Sequence, residues 1–251
     1  MARRRKSNRR RRRGNFAFLY KLLSVLVICA AIVAALTLFF KVETIVVTGT
    51  ARYTEAELLD VIPVKQGDNL FLLNKFSIAE SIMESLPYVE EVRVNRKLPD
   101  TLLIEVAECQ AAAVVMYNGA GWLISSTGKI VEEVPAADAK VYPAVQGCTA
   151  VEPVMGEQLK LERESDLTEL LRLLSALEKA GTLDQLQSVQ LGDMSTLSLT
   201  YGGRFTVELP RGGDYDRKME KLPRYIERLE SNETGTFDMT EDTRSFFIPY
   251  S

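Results

Sequence analysis

SLPYVEEVRVNRKLPDTLLIEV, Ser85 to Val106, reads as a helix end, a strand, a tight turn and a second strand. Pro87 closes the helix. Val92 and Val94 then alternate with Glu91, Arg93 and Asn95, which predicts a strand with one wet face. RKLPD turns the chain, and TLLIEV is the returning strand. Upstream, FSIAESIMESLP sets Ile78, Ile82 and Leu86 at four-residue spacing, giving one buried helical face. Ser77 and Glu80 form a capping box at its start. YTEAELLDVIP predicts a shorter helix capped by Thr54 with Glu57, carrying Leu58, Leu59 and Ile62 inward and ending at Pro63. Before it, KVETIVVTGT supplies a first strand through Val42, Ile45, Val46 and Val47, ending at a Gly49 turn. The expected order is β-α-α-β-β, with both helices on one face of a small sheet.

What precedes this module explains its setting. Residues 1–21 hold ten Lys/Arg and no acid, so of the 31 basic residues in the chain 21 remain against all 34 acids in residues 22–251, a formal net of −13 there. A basic tail thus adjoins an acidic body. Between them LLSVLVICAAIVAALTLFF, Leu22 to Phe40, runs 19 residues without a charge, a helix of roughly 28 Å that matches a bilayer's hydrocarbon thickness. The run is longer than a signal peptide's apolar region and ends in bulky LTLFFKVE, a poor cleavage flank. Bulky Ile28 before Cys29 argues against lipoprotein cleavage. An uncleaved anchor is expected, with the tail cytoplasmic and residues 41–251 outside. Nine basic residues among the first thirteen are the kind of charge that binds nucleic-acid phosphates, but topogenic charge and attraction to anionic lipid account for them beside a span. No nucleic-acid partner is expected.

The second half is read as a β-rich domain with helices, residues 109–251. GWLISSTGKIVEEV is a hairpin around Ser125 to Gly128. DLTELLRLLSALEKAG is an amphipathic helix with Leu167, Leu170, Leu171, Leu174 and Leu177 on one face and Gly181 as its stop. LQSVQLG, LSLTYGG and RFTVELP are three strands, with Gly202-Gly203 turning between the last two. DYDRKMEKLPRYIERLE is a helix interrupted near Pro223, and GTFDMTEDTRSFFIPY is a terminal strand. Repeats and low-complexity linkers are absent outside the basic tail. The expected fold class is therefore α+β: one transmembrane helix, the β-α-α-β-β module, and the β-rich domain.

Catalytic chemistry finds little to work with. The chain has no histidine, which excludes Ser-His-Asp and Cys-His catalysis and every histidine metal site. Outside the span Cys109 and Cys148 are too few for a thiolate zinc site and belong to no C-x-x-C pair; whether they pair with each other stays open. The Asn232-Glu233-Thr234 sequon has meaning only in a glycosylating pathway. Ser126-Thr127-Gly128-Lys129 matches S-x-x-K, but that chemistry sets its serine at a helix N-terminus and needs S-D-N and K-T-G partners. Strand-forming Trp122-Leu123-Ile124 and Ile130-Val131 flank it instead, so a turn is expected. The same TGK lacks the glycine and hydroxyl of a phosphate loop. Glu90-Glu91 and Glu132-Glu133 are acid pairs, yet neighbours on a strand point to opposite faces and do not converge on a sugar. Trp122 is read as core or as a hairpin contact. No catalytic residue, metal, cofactor or small-molecule substrate is expected.

The β-α-α-β-β order and its residues resemble a POTRA domain, here residues 41–108. The basic tail (1–21), the anchor (22–40) and a module ending in R-x-LP-x-T-L-x-I-x-V resemble the FtsQ/DivIB family of bacterial division proteins. Glu108 matches the Glu that often follows in the family, whereas Cys109 and Ala111 stand where Arg and Pro are usual. The hairpin around Ser125, VYPAVQG (Val141 to Gly147) and Gly-x-Phe-Asp-Met near the end resemble further family landmarks. The resemblance implies a non-catalytic divisome scaffold at the septal membrane that binds FtsL and FtsB/DivIC-type proteins through the end of its β domain. On this chain that contact falls on Phe237 to Ile248, preceded by the helix around Tyr225. Tyr225, Phe237, Phe246, Phe247 and Ile248 are thus the candidate partner-binding residues, a sheet edge being able to accept a partner strand. Ordinary core positions are the competing reading for Phe246, Phe247 and Ile248. A POTRA-bearing transport or chaperone component and a membrane-anchored cell-wall enzyme are the alternative functions.

Overall fold

The computed structural model describes residues 16–192, 194–241 and 243–250. Most of the basic tail therefore lies outside the described residues. The chain divides into two compact units. One comprises the described part of Met1–Val46 with Val64–Asn74 and Val94–Ile104, the other Val47–Pro63, Lys75–Arg93 and Glu105–Ser251.

Helix α1 covers Phe16–Phe39 and is therefore longer at its N-terminal end than the uncharged run. Its stretch Leu19–Phe39, 21 residues, is long and apolar enough to cross a membrane, and none of it is buried by protein. In the same unit the chain just after α1 meets residues 64–74. Val42 N–H donates to the Asp68 carbonyl (2.8 Å), Gly67 N–H to Val42 (2.8 Å) and Leu70 N–H to Phe40 (2.9 Å). The Phe40 and Phe71 rings meet edge to face at 5.1 Å.

The module reads as expected: β1 (Thr44–Thr48), α2 (Glu55–Val61), α3 (Lys75–Ser85), β2 (Val89–Lys97) and β3 (Thr101–Glu108), its sheet ordered β1-β3-β2. On α2 the predicted capping box is complete, Thr54 accepting from Glu57 N–H and Glu57 from Thr54 N–H. The second box is not formed. Helix α3 begins at Lys75, which puts Ser77 inside the first turn, where its backbone is already helical and cannot cap. Ile78 and Ile82 are buried on α3 as the four-residue spacing requires, and Leu102, Ile104 and Val106 are buried along β3. The hairpin turn holds a cis Leu98-Pro99 bond.

The rest of the second unit is one nine-stranded sheet ordered β12-β11-β10-β9-β8-β7-β4-β5-β6. Its strands are β4 (Ala113–Tyr117), β5 (Ala120–Ile124), β6 (Ile130–Pro135), β7 (Ala144–Gln146), β8 (Leu186–Gln190), β9 (Thr196–Tyr201), β10 (Phe205–Pro210), β11 (Gly235–Asp238) and β12 (Phe246–Pro249). The predicted Ser125–Gly128 hairpin joins β5 and β6. A further hairpin joins β4 and β5 through Asn118-Gly119, both at positive φ (49° and 82°), the backbone that a two-residue primed turn demands. The predicted terminal strand is in fact two, β11 and β12, paired antiparallel. Helix α4 (Glu164–Lys179) ends as predicted at Gly181, with Thr182 N–H donating to Leu177 and Gly181 N–H to Glu178, both at 2.9 Å. Its buried face is Leu170, Leu173, Leu174, Ala176 and Leu177, with Leu167 packed at the margin. Helix α5 (Tyr215–Ile226) runs through Pro223 without stopping. The proline removes one donor, but only one turn of helix remains beyond it.

Both helices cover one sheet face, where the α4 leucines meet Val115, Val189, Leu199, Val207 and Phe237. At the β4-β5-β6 end the opposite face is covered as well, by Tyr88 with Tyr53, Cys109 and Ala111 against Val114, Leu123, Val131 and Val134. A charge is buried where α4 starts. Asp166, 1% exposed, lies 2.7 Å from Arg163 and 2.7 Å from Arg211, and Arg211 also donates to the Leu191 carbonyl. This ties α4 to the end of β10. All three cysteines are free. Burial, and then the Glu90 carboxylate, push the Cys109 thiol up to about 12; burial, then Asp166, push Cys148 up to about 11.

Two outcomes follow from this packing. Asp166→Ala strands the guanidinium of Arg211, only 12% exposed, and denaturant unfolding is expected to read a loss of about 3–5 kcal/mol. Cys109 and Cys148 stay protonated at neutral pH, so in peptide mapping after alkylation at about pH 8 both react slowly in the folded protein and fast once it is unfolded.

Candidate partner-binding edge

The nine-stranded sheet has two ends, and they differ. At β6 the backbone of Ile130 is already paired, its N–H donating to Glu157 and its C=O accepting from Gly156, each at 2.8 Å. At the other end β12 pairs with β11 alone among the described residues. Tyr250 N–H donates to the Thr234 carbonyl (2.9 Å). Antiparallel pairing alternates, so Ile248 and Phe246 share that inward role. The N–H and C=O of Phe247 and the C=O of Pro249 therefore face outward, an open edge of the kind that a partner strand completes.

The five candidate side chains occupy three environments. Phe237 is buried, 3% exposed, and belongs to the core. Its ring lies 5.3 Å from Phe205 and 4.9 Å from Phe247. Phe247 is half-buried and also meets Phe205 at 6.1 Å, so it is the anchor that seats β12 on the core. Phe246 and Ile248 alternate with it and point the other way, 48% and 55% exposed. Tyr250 continues their row at 54%; its hydroxyl donates to Thr206 Oγ1 (2.9 Å) and lies 3.1 Å from Thr236 Oγ1. The sequence reading passed over Tyr250, although its two-residue spacing from Phe246 and Ile248 marks the same face. Tyr225 lies on α5, half-buried against the core. It lines a groove with Arg217, Lys221, Met239, Thr243 and Ser245, and Ser245 immediately precedes β12.

The segment joining β11 to β12 is held by a lysine. Lys218, 6% exposed, donates from Nζ to the carbonyls of Met239 (2.6 Å) and Glu241 (2.8 Å). Asp238 accepts from the hydroxyl and N–H of Thr240 (2.6 and 3.0 Å), which holds its carboxyl below the usual range. Closeness between the last two strands depends on Gly235. A Cβ there would stand 2.4 Å from the Ile248 carbonyl oxygen and 2.7 Å from the Phe247 ring, so only glycine lets β12 lie down.

The chemistry-bearing motifs do not converge. Ser126 Oγ donates to Glu178 (2.7 Å), while Lys129 Nζ donates to the carbonyls of Met83 (2.9 Å) and Val89 (3.0 Å). Serine and lysine of the S-x-x-K match thus serve different contacts within a hairpin turn. Glu90 accepts from Thr127 (2.6 Å) and Glu91 pairs with Arg93 (2.7 Å). Glu132 accepts from the Tyr88 hydroxyl (2.5 Å) and lies 3.3 Å from Arg52, while Glu133 is exposed. Each acid pair points to two faces. Among the described residues no group of three or more His, Cys, Asp or Glu is placed to hold a metal.

Residues 40–108 match the family described as POTRA domain, FtsQ-type, and residues 113–240 the family described as cell division protein FtsQ/DivIB, C-terminal. The chain is 29% identical over 198 residues to cell division protein FtsQ of Geotalea daltonii, covering 78% of this chain and 70% of that one. It is 30% identical to the Corynebacterium glutamicum FtsQ over 156 residues, 61% of this chain and 70% of that one. Against cell division protein DivIB of Clostridium botulinum the identity is 25% over 212 residues, 83% and 82% of the two chains.

Replacing Gly235 by valine is expected to release β12 and leave the rest of the sheet intact. Hydrogen exchange should accelerate at residues 246–250 and stay slow in β8, β9 and β10.

Proposed function

The chain belongs to the FtsQ/DivIB family of cell division proteins, and from that premise we propose that it is a membrane-anchored, non-catalytic scaffold of the division machinery. It binds other division proteins outside the membrane, FtsL and FtsB/DivIC-type chains among them, and helps assemble or regulate septal peptidoglycan synthesis. The proposed layout is a cytoplasmic basic tail (1–21), a span (22–40), a POTRA domain (41–108) and a β-rich domain (109–251) that ends in the partner-binding strand. The tail's positive charge supports a cytoplasmic N-terminus.

One observation carries the binding role: the outer edge of β12 is open, and the strand shows Phe246 and Ile248 to solvent. An incoming strand would gain main-chain hydrogen bonds at Phe247 and Pro249, and its side chains would meet an apolar row. The groove beside Tyr225 reaches Ser245, the residue before β12. Phe237 supports the site from the core and does not touch the partner, while Phe247 seats the strand.

The test separates contact from support. Phe246→Asp with Ile248→Asp places charges where no core exists, so the thermal melt stays unchanged while pull-down of FtsB/DivIC-type partners weakens by roughly tenfold or more. Phe247→Asp should lower both, because a carboxylate then sits against Phe205 and Phe237. Partner binding unaffected by the double variant would sink the proposed edge.

A further inference from the structure

The part of the molecule next to α1 carries a second exposed apolar surface, on the loop that follows the chain's exit from the span. Leu72 is 78% exposed and Phe71 45%, two neighbouring large apolar residues presented to solvent. What fixes their position is Asn69. Its Nδ2 donates to the carbonyl of Leu36 (2.9 Å) and its Oδ1 accepts from Phe71 N–H (2.9 Å). Leu36 lies within the last turn of α1, whose final carbonyls have no helical donor. In hydrocarbon such an orphan is expensive, and no water is present to relieve it. Asn69 closes the end of the span, and both halves of its own amide are satisfied in doing so.

That bond also sets a depth. Leu19–Phe39 spans 21 residues, roughly 31 Å at 1.5 Å per residue, so a bilayer of about 30 Å has its C-terminal-side boundary at the last turn. A loop tied to Leu36, with Phe71 edge to face against Phe40, stands at that boundary. Leu38 and Phe39 are 67% and 76% exposed on the helix itself, and Leu72 on the loop is exposed to the same degree. Lys41 bridges to Asn69 through its backbone and is exposed, at the height where a lysine meets anionic headgroups.

We propose that the loop Asn69–Leu72 is a lipid-contacting element, lying in the bilayer interface on the C-terminal side of the span with Leu72 and the edge of Phe71 among the upper acyl chains. The module is thereby held down on the membrane at a second point, and its swing about residue 41 is limited. The inference rests on α1 being a membrane anchor.

Tryptophan emission from the full chain tests it, in vesicles of phosphatidylethanolamine and phosphatidylglycerol containing lipids brominated near the top of the acyl chain. Trp122 provides a constant baseline in every variant. The emission added by Leu72→Trp is expected to be blue-shifted and largely lost to bromine, as is that of Leu38→Trp within the span. Val141→Trp, at a site 85% exposed in the β-rich domain, should keep its emission. Quenching at 38 without quenching at 72 overturns the loop contact and leaves the anchor standing. No quenching at 38 overturns the anchor, and the loop contact with it. Equal quenching at 141 overturns the assignment to this loop.

Discussion

A backbone N–H or C=O taken from water without a partner costs more than a hydrogen bond contributes when made, and this asymmetry is visible at the end of α1 and, separately, at the last strand of the nine-stranded sheet. At the end of α1 the Leu36 carbonyl is closed by Asn69. At one edge of the sheet lies β12, where the Phe247 and Pro249 groups face outward. Water satisfies them there in the free chain, and a partner's backbone can replace it at little cost. The same physics favours closure at the end of an apolar helix and permits an open edge in solvent. Phe247 and Gly235 keep that edge in place, one by its ring in the core and the other by having no side chain.

The departures from the family pattern at Cys109 and Ala111 turn out to be packing choices. Cys109 Sγ donates to the Tyr88 carbonyl (3.4 Å), and Ala111 packs with Val114 and Leu123 under Tyr88. Both are small and apolar enough to be covered. Glu108, the matching residue, has a separate task. It accepts from Thr50 Oγ1 (2.7 Å) and from the N–H groups of Ala51 and Arg52 (3.1 Å each), closing the turn before α2. Lys129 works similarly, its ammonium joining the hairpin turn to the Met83 and Val89 carbonyls. Burial lowers its pKa, and Cys109 and Glu90 oppose that shift. A residue that looked like half of a catalytic pair is a structural tie.

Local features were legible where the chain signals them locally. Thr54 and Glu57 announce a cap three residues apart, and Gly181 announces a helix end. The same rule misled at Ser77, because the helix starts at Lys75 and the serine has no free end to cap. Pro223 suggested a break, but near a C-terminus a missing donor is a small loss. Residues 235–250 read as one strand, but β11 ends at Asp238, and Lys218, more than twenty residues earlier, ties down the Met239 and Glu241 carbonyls that follow it. Asn118-Gly119 was a plain turn signal that the apolar runs around it obscured.

Composition and periodicity were enough to mark an apolar span, a β-α-α-β-β module, a β-rich domain, and a chain without histidine. Those properties depend on neighbours in sequence, on the repeat of apolar residues and on which residue types are present. Which phenylalanine is buried beneath the edge and which one is exposed on it was beyond that reach. Phe237, Phe246 and Phe247 are chemically the same, and their roles follow from strand order and register: β12 lies last in the sheet, Phe247 falls opposite Phe237, and alternation turns Phe246 and Ile248 outward. Register is a long-range pairing, so only the folded chain could decide it.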